Sequence, residues 1–161
     1  MIVHRSSFKE SLLKKHGIKS GTEQKFEHSS GPDAIRVCAL VNEKFLFHAT
    51  HKEHVKPISS RGFDWRLAGT KNGAVLGKGN YFARDASYSA RYCFPSRSMF
   101  LVRVLVGDSV KGAPQFLRPP PLKKNDPYGE TYDSCVDDPR IPSIYVTFEF
   151  GQSYPAYLIH F

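Results

Sequence analysis

The chain has 161 residues, a length typical of one domain, and 40% of them are hydrophobic, which excludes wholesale disorder. Its 23 lysine and arginine residues outnumber 15 aspartate and glutamate residues, and the net charge of +8 favours an anionic partner: a nucleic acid, a membrane surface or a phosphorylated small molecule. The most apolar run, Met99 to Gly107, contains Arg103 and is too short to span a membrane.

The cysteines and the N-terminus indicate a cellular compartment. The N-terminal residues lack the apolar block of a signal peptide. Cys38, Cys93 and Cys135 are odd in number and widely spaced, which argues against a disulfide framework. We therefore expect an intracellular protein, nuclear or cytoplasmic, with reduced thiols and no membrane association.

The first forty residues are polar and rich in lysine, serine and glycine. Within them, Phe8, Leu12 and Leu13 stand at helical spacing and predict a short amphipathic helix over residues 6–16. Otherwise we expect residues 1–41 to form a poorly ordered N-terminal extension, followed by a folded domain over residues 42–161.

The next predicted elements are a strand and a helix. The segment KFLFHAT is apolar and predicts a strand that ends at His48. Thr50 and Glu53 have the spacing of a capping box, so a helix is expected to start there. We expect Pro57 to kink or shorten this helix and Gly62 to end it.

Residues 62–80 contain five glycines and predict a long loop. Seven lysines or arginines and two aspartates lie between Arg61 and Arg97, a local charge of +5. A mobile, basic, glycine-rich loop suits a pyrophosphate, although a solvated basic face explains the same charge. Gly77-Lys78-Gly79 lacks the remaining residues of a phosphate-binding P-loop.

The rest of the chain predicts short strands and little helix. Residues 113–130 contain three consecutive prolines and should be irregular. Strands are predicted over residues 80–83, 99–107, 132–136, 143–150 and 157–161. Short strands without regular alternation with helices indicate an α+β fold with a mainly antiparallel sheet.

Histidines at positions 48, 51 and 54 raise the question of a metal. His48 belongs to the predicted strand, and the spacing matches no metal-binding pattern. We therefore expect no metal site.

The segment 85–92 has helical composition, and Ser89 and Tyr92 share one face of that helix. A hydroxyl beside an aromatic ring can hold a flat heteroaromatic amide, because the ring stacks while the hydroxyl hydrogen-bonds. The alternative is that Tyr92 is simply an aromatic residue at the edge of the core.

Several motifs in order resemble the catalytic domain of the poly(ADP-ribose) polymerase (PARP) family. They are FHAT at 47–50, GKGNYFA at 77–83, SYSARY at 87–92, MFLVRVLVG at 99–107, YDS at 132–134, PSIYV at 142–146 and YPAY at 154–157. The resemblance covers residues 42–161 and is nearest to the mono-ADP-ribosyltransferase branch that includes the CCCH-zinc-finger/WWE members. It implies a diphtheria-toxin-like fold, whose split, mainly antiparallel sheet surrounds an NAD cleft.

The resemblance also implies roles for single residues. His48 is similar to the histidine that binds the adenine-side ribose, and Thr50 to a hydroxyl that contacts the nucleotide. Tyr81 and Tyr92 match the rings that sandwich nicotinamide, and Ser89 matches the hydroxyl that binds its carboxamide. Residues 62–80 match the donor loop that covers NAD.

One departure from the family pattern concerns chain elongation. Polymer-forming members carry a glutamate where this chain has Ile144. The resemblance thus gives His48, Tyr81 and Ile144 as the catalytic positions of this chain. An apolar side chain cannot activate the ribose 2′-hydroxyl. Glu149 cannot replace that glutamate, because five residues of strand place it roughly 16 Å away on the opposite face.

A second departure is Ala49, where the family has a glycine whose backbone N–H and C=O clamp the nicotinamide amide. The added methyl is tolerable at a negative φ but would obstruct the pocket if it pointed inward. Residues 1–41 lack the pattern of helices and strands that is expected ahead of the strand ending at His48. We therefore expect this part of the fold to be remodelled relative to the family.

The resemblance therefore predicts a protein mono-ADP-ribosyltransferase that uses NAD as co-substrate, releases nicotinamide and needs no metal. Its expected partners are NAD and protein acceptors, including itself. A catalytically weak or inactive pseudoenzyme that serves as a binding module is the alternative. Nucleic-acid binding is not expected, because the basic loop already has an anionic ligand to explain its charge.

Overall fold

The computed structural model describes residues 2–17, 39–67 and 74–161. In this part of the chain, three α-helices and seven strands occur in the following order: α1 (Ile2–Lys15), β1 (Glu43–Thr50), α2 (Lys52–Arg61), β2 (Asn80–Ala83), α3 (Ala86–Ala90), β3 (Ser98–Leu105), β4 (Ser109–Lys111), β5 (Ser134–Val136), β6 (Ile144–Thr147) and β7 (Ser153–His160). Short 3₁₀ turns lie at Ala39–Val41 and Trp65–Leu67. None of the described helices is long and apolar enough to cross a membrane.

The strands form one sheet in the order β4-β5-β6-β2-β1-β3-β7, and only β4 and β5 run parallel. The predicted α+β class with a mainly antiparallel sheet is therefore confirmed. β1 pairs with β3 along its whole length, whereas Phe47 opposite Ala83 is the single register pair between β1 and β2 among the described residues. We call the boundary between β1 and β2 the seam.

The helix after β1 differs in part from the prediction. Thr50 is the last residue of β1, where it pairs with Ser98, so it does not cap the helix; the N-cap is His51, whose side chain makes no capping bond. Pro57 does not shorten the helix, which continues through it to Arg61. Gly62 ends it as predicted, with φ 82° and its N–H on the Ile58 carbonyl at 2.8 Å.

Each face of the sheet carries its own apolar cluster. Cross-strand partners share a face and neighbours along a strand alternate, so His48 and Phe82 lie on one face and Tyr81 and Ile144 on the other. We call these the His48 face and the Tyr81 face. On the His48 face, Phe63, Phe82, Phe100 and Tyr145 lead a buried cluster, and on the Tyr81 face Cys135, Val146 and Phe148 form another.

Helix α1 is tied to the sheet by its last residue. Lys15 donates to both carboxylate oxygens of Asp133, at 2.9 and 3.0 Å, and to the Thr131 carbonyl. The helix predicted over residues 6–16 is thus present over Ile2–Lys15. The predicted disorder of the extension falls mostly on residues 18–38, which lie outside the described residues. The irregular course predicted for 113–130 is confirmed, since no named helix or strand falls there.

Candidate active site

His48 lies near the seam and is held by the backbone of β2. Its Nδ1 is 2.8 Å from the main-chain carbonyl oxygen of Tyr81, and because a carbonyl only accepts, Nδ1 carries the proton. The half-buried ring packs edge-on against Phe63, with centroids 4.9 Å apart. Burial lowers the pKa of His48 below its usual 6.5, so the ring is neutral at physiological pH. Its Nε2, which has no hydrogen-bond partner among the described residues, is therefore an acceptor.

Ala49 presents its backbone to the seam. The Phe47 carbonyl accepts a bond from Ser89 of α3, so it points away from β3. N–H and C=O groups two residues apart point to the same side of a strand, so those of Ala49 face the same way. The register between β1 and β2 ends at Phe47, which leaves these groups of Ala49 beyond the last pair. The φ of Ala49 is not positive, and the methyl therefore sits in ordinary strand geometry.

Ser89 lies in α3, whereas Tyr92, predicted on the same helix, lies two residues beyond its end. The helix ends at Ala90, but the N–H of Tyr92 bonds to the Ser89 carbonyl at 3.0 Å and continues the turn. Ser89 is buried and its hydroxyl donates to the Phe47 carbonyl at 3.0 Å, which leaves its oxygen able to accept. The Tyr92 side chain is 46% exposed, and its hydroxyl lies 3.3 Å from that of Tyr88. An exposed ring beside a buried hydroxyl can hold a flat amide.

Tyr81 contacts the end of the glycine-rich loop rather than leaving its hydroxyl free. Its hydroxyl donates to the Gly77 carbonyl and accepts the N–H of Leu76, each at 2.9 Å. Burial raises the pKa of Tyr81 above its usual 10. Residues 74–79 of the predicted loop are thus bonded to Tyr81, while residues 68–73 lie outside the described residues.

Ile144 occupies the start of β6, opposite Ala83 on the Tyr81 face, and is 9% exposed. Asp137, which the sequence did not single out, fixes this position. Its carboxylate accepts the N–H groups of Ser143 and Ile144, at 2.9 and 3.0 Å, and the Ser143 hydroxyl. Although burial acts in the opposite direction, these hydrogen bonds lower the pKa of Asp137. No spacing rule marks such a residue, because the loop that brings it back to β6 has no motif.

The other predicted residues take simpler positions. Thr50 is buried and follows His48 by two residues, so both side chains project from the His48 face. The rings of His51 and His54 are 6.5 Å apart near the start of α2. Glu149 is exposed and lies beyond the end of β6.

One group of metal-ligating residue types occurs in the part of the chain that the structure describes: His16, Asp108 and Asp133. The Lys15 ammonium lies 2.9 Å from Asp133 and 3.6 Å from Asp108, so both carboxylates already contact a cation. The group binds α1 to the sheet and is remote in the fold from His48.

Comparisons with known proteins identify the family. The family model described as "Poly(ADP-ribose) polymerase catalytic domain" matches residues 4–131. The chain therefore belongs to the PARP catalytic domain family, whose members use NAD as substrate. The match starts within α1 and ends before β5.

Relatives in the curated proteins carry a specific name. "Protein mono-ADP-ribosyltransferase PARP11" of Mus musculus is 44% identical over 144 residues, covering 75% of this chain and 43% of the relative. "Protein mono-ADP-ribosyltransferase PARP12" of Mus musculus is 48% identical over 124 residues, covering 75% and 17%. "Protein mono-ADP-ribosyltransferase PARP14" of Homo sapiens is 39% identical, covering 75% and 7%. The chain thus spans less than half of each of these relatives.

Proposed function

We propose that this chain transfers one ADP-ribose unit from NAD to protein side chains, including its own, and releases nicotinamide. The observation that carries the proposal is His48: a neutral imidazole with Nδ1–H fixed on the Tyr81 carbonyl and Nε2 left to accept. A ribose hydroxyl is a donor that such a nitrogen binds, and the fixed tautomer orients it before substrate arrives.

Nicotinamide suits the residues on the α3 side of the seam. Ala49 offers a backbone N–H and C=O, Ser89 offers a hydroxyl oxygen, and Tyr92 offers an exposed ring. Together these groups match a flat ring that carries a carboxamide. In the reaction, the bond from nicotinamide nitrogen to ribose C1′ breaks, the electron pair leaves with nicotinamide, and the acceptor side chain bonds to C1′ and loses its proton. The chain's own groups hold the leaving group and the ribose in place for that exchange.

Ile144 supports transfer of a single unit. It is buried, apolar and fixed through its N–H on Asp137, so its side chain offers no carboxylate to a ribose hydroxyl. Glu149 lies exposed after β6 and does not provide one either.

The test is incubation of the full chain with NAD that carries its radiolabel in the adenylate phosphate. We expect a labelled protein band whose attached group is one unit long, and about tenfold less label in His48→Ala, because an oriented hydrogen bond is lost. Free labelled ADP-ribose in place of NAD controls for non-enzymatic attachment. A ladder of long products would contradict the role given to Ile144. NAD binding without transfer would instead establish the pseudoenzyme.

We also propose an intracellular location for this chain and no nucleic-acid ligand. Cys93 and Cys135 are free and buried, which suits a reducing compartment. Fluorescence microscopy of the tagged chain tests the location. Binding to RNA or DNA that falls steeply with salt would contradict the second proposal.

A further inference from the structure

We infer that the Tyr81 hydroxyl is a positioning group: by bonding both to Leu76 and to Gly77, it orients its own ring for nicotinamide. The inference rests on the proposed function and on the resemblance, which matches the Tyr81 ring to one of the two rings that sandwich nicotinamide. The ring stacks on the ligand, whereas the hydroxyl holds the ring in position.

The evidence is a pair of hydrogen bonds of opposite sense. The hydroxyl accepts the Leu76 N–H and donates to the Gly77 carbonyl, each at 2.9 Å. One hydroxyl therefore satisfies a backbone donor and a backbone acceptor of two neighbouring residues, five and four positions before it in the chain. Both partners are main-chain atoms, so the ring cannot follow the rotation of a flexible side chain.

The turn that receives these bonds is itself fixed. The N–H of Lys78 bonds to the Phe116 carbonyl at 2.8 Å, and Leu76 packs into the cluster of the Tyr81 face. Gly77 has φ +120°, and a Cβ there would lie 2.8 Å from the Phe148 ring. A Cβ on Gly79 would collide with the Thr147 carbonyl. The glycines thus permit close packing against β6 and Phe116, and the anchor for Tyr81 is rigid.

A rigid anchor at the hydroxyl and a strand at the Cα fix both ends of the Tyr81 side chain. The ring keeps one tilt, so stacking costs little additional order when a flat ligand arrives. Phenylalanine at this position would retain the stacking surface and lose only the anchor. That difference separates the positioning task from the stacking task.

The experiment compares Tyr81→Phe with Tyr145→Phe in the full chain. Tyr145 is a matched control, since it is a buried β6 tyrosine on the His48 face whose hydroxyl also donates to a main-chain carbonyl, that of Pro142. The first readout is amide hydrogen exchange at Leu76, measured without any ligand. The second is nicotinamide affinity by calorimetry, with KM and kcat for NAD alongside. Tyr81→Leu, which removes ring and anchor together, is the reference for complete loss.

We expect Tyr81→Phe to speed exchange at Leu76 about tenfold, as for loss of one protecting hydrogen bond, and to weaken nicotinamide about fivefold. KM for NAD should rise more than kcat falls, Tyr81→Leu should bind more weakly still, and Tyr145→Phe should match wild type in both readouts. Unchanged exchange at Leu76 would overturn the anchor. Faster exchange with unchanged nicotinamide affinity would overturn the positioning role. Failure of wild type to bind nicotinamide would instead overturn the proposed function, and the exchange result would still stand by itself.

Discussion

The imidazole of His48 is bonded to the backbone of Tyr81, 33 residues further along the chain and across the seam. The two residues belong together in the candidate site, yet their side chains project from opposite faces of the sheet. Their link is one ring nitrogen and one carbonyl. A ligand that reaches both therefore lies along the seam, where β1 and β2 share a single register pair.

Stability should depend on the protonation of His48. Burial lowers its pKa in the folded chain below the unfolded value near 6.5, so the unfolded chain binds more protons between these two values. The folded state should lose stability as the pH falls from about 6.5 through the folded pKa. In His48→Asn, whose amide can still donate to the Tyr81 carbonyl, the unfolding midpoint should fall less between pH 7.5 and 5. His51→Gln should follow wild type. Parallel curves for wild type and His48→Asn would refute the prediction.

Tyr92 and Ser89 should separate binding from stability. Tyr92→Ala should weaken nicotinamide about tenfold through lost stacking and leave the unfolding midpoint unchanged, because the ring is 46% exposed. Ser89→Ala should weaken nicotinamide too, and should also cost about 1 kcal/mol of stability by removing the hydrogen bond from its hydroxyl to the Phe47 carbonyl. Tyr128→Ala, at a fully exposed site, is the control. Calorimetry and thermal unfolding measure both quantities, and unchanged affinity in both variants places the pocket elsewhere.

Ala49→Gly should not increase activity. Because the φ of Ala49 is not positive, glycine supplies no conformation that the chain needs. We expect NAD affinity to change by less than about threefold and stability to fall by about 0.5–1 kcal/mol, the usual cost of glycine inside a strand. Calorimetry with NAD and thermal unfolding decide this. A tenfold gain in affinity would show that the methyl obstructs the clamp.

Thr147→Val should stabilise the fold. Thr147 is fully buried between Asn80 and Ser134 in the sheet, and its hydroxyl has no partner among the described residues. Valine keeps the shape and removes an unsatisfied polar group, so the free energy of unfolding should rise by about 1 kcal/mol. Thr147→Ser, which keeps the hydroxyl and loses the methyl, should be less stable than wild type. Denaturant unfolding measures both, and a loss of stability in Thr147→Val would indicate that the hydroxyl has a partner.

The sequence predicted local elements well where the signal is local. The apolar run of β2 follows Gly79 directly, and its bounds at Asn80 and Ala83 were correct. Thr50 was placed wrongly, because a capping-box spacing covers four residues and cannot reveal that Ser98 pairs with Thr50 in the sheet. Residues 74–79 pack against Phe116 and Phe148, which lie about forty to seventy residues further along the chain. A count of glycines cannot reveal such contacts.

The candidate site was predicted by residue type but not by geometry. The resemblance selected His48, Tyr81 and Ser89 from their motifs. It could not show that His48 bonds to the carbonyl of Tyr81, because every residue has a carbonyl. The resemblance also could not show that the Asp137 carboxylate accepts the N–H of Ile144. That hydrogen bond depends on a loop that returns the chain to β6.

At the seam itself, few hydrogen bonds join β1 to β2 and α3 among the described residues, although the buried cluster on the His48 face spans both halves of the sheet. Phe47 pairs with Ala83 and accepts from Ser89, and His48 bonds to Tyr81. These ties involve consecutive residues of β1, and the backbone proposed to clamp nicotinamide belongs to the next one, Ala49. Mechanical cohesion and ligand recognition thus share three adjacent positions of one strand. A substitution that tightens binding at these positions will also change the polar contacts that hold β1 to β2 and α3 at the seam.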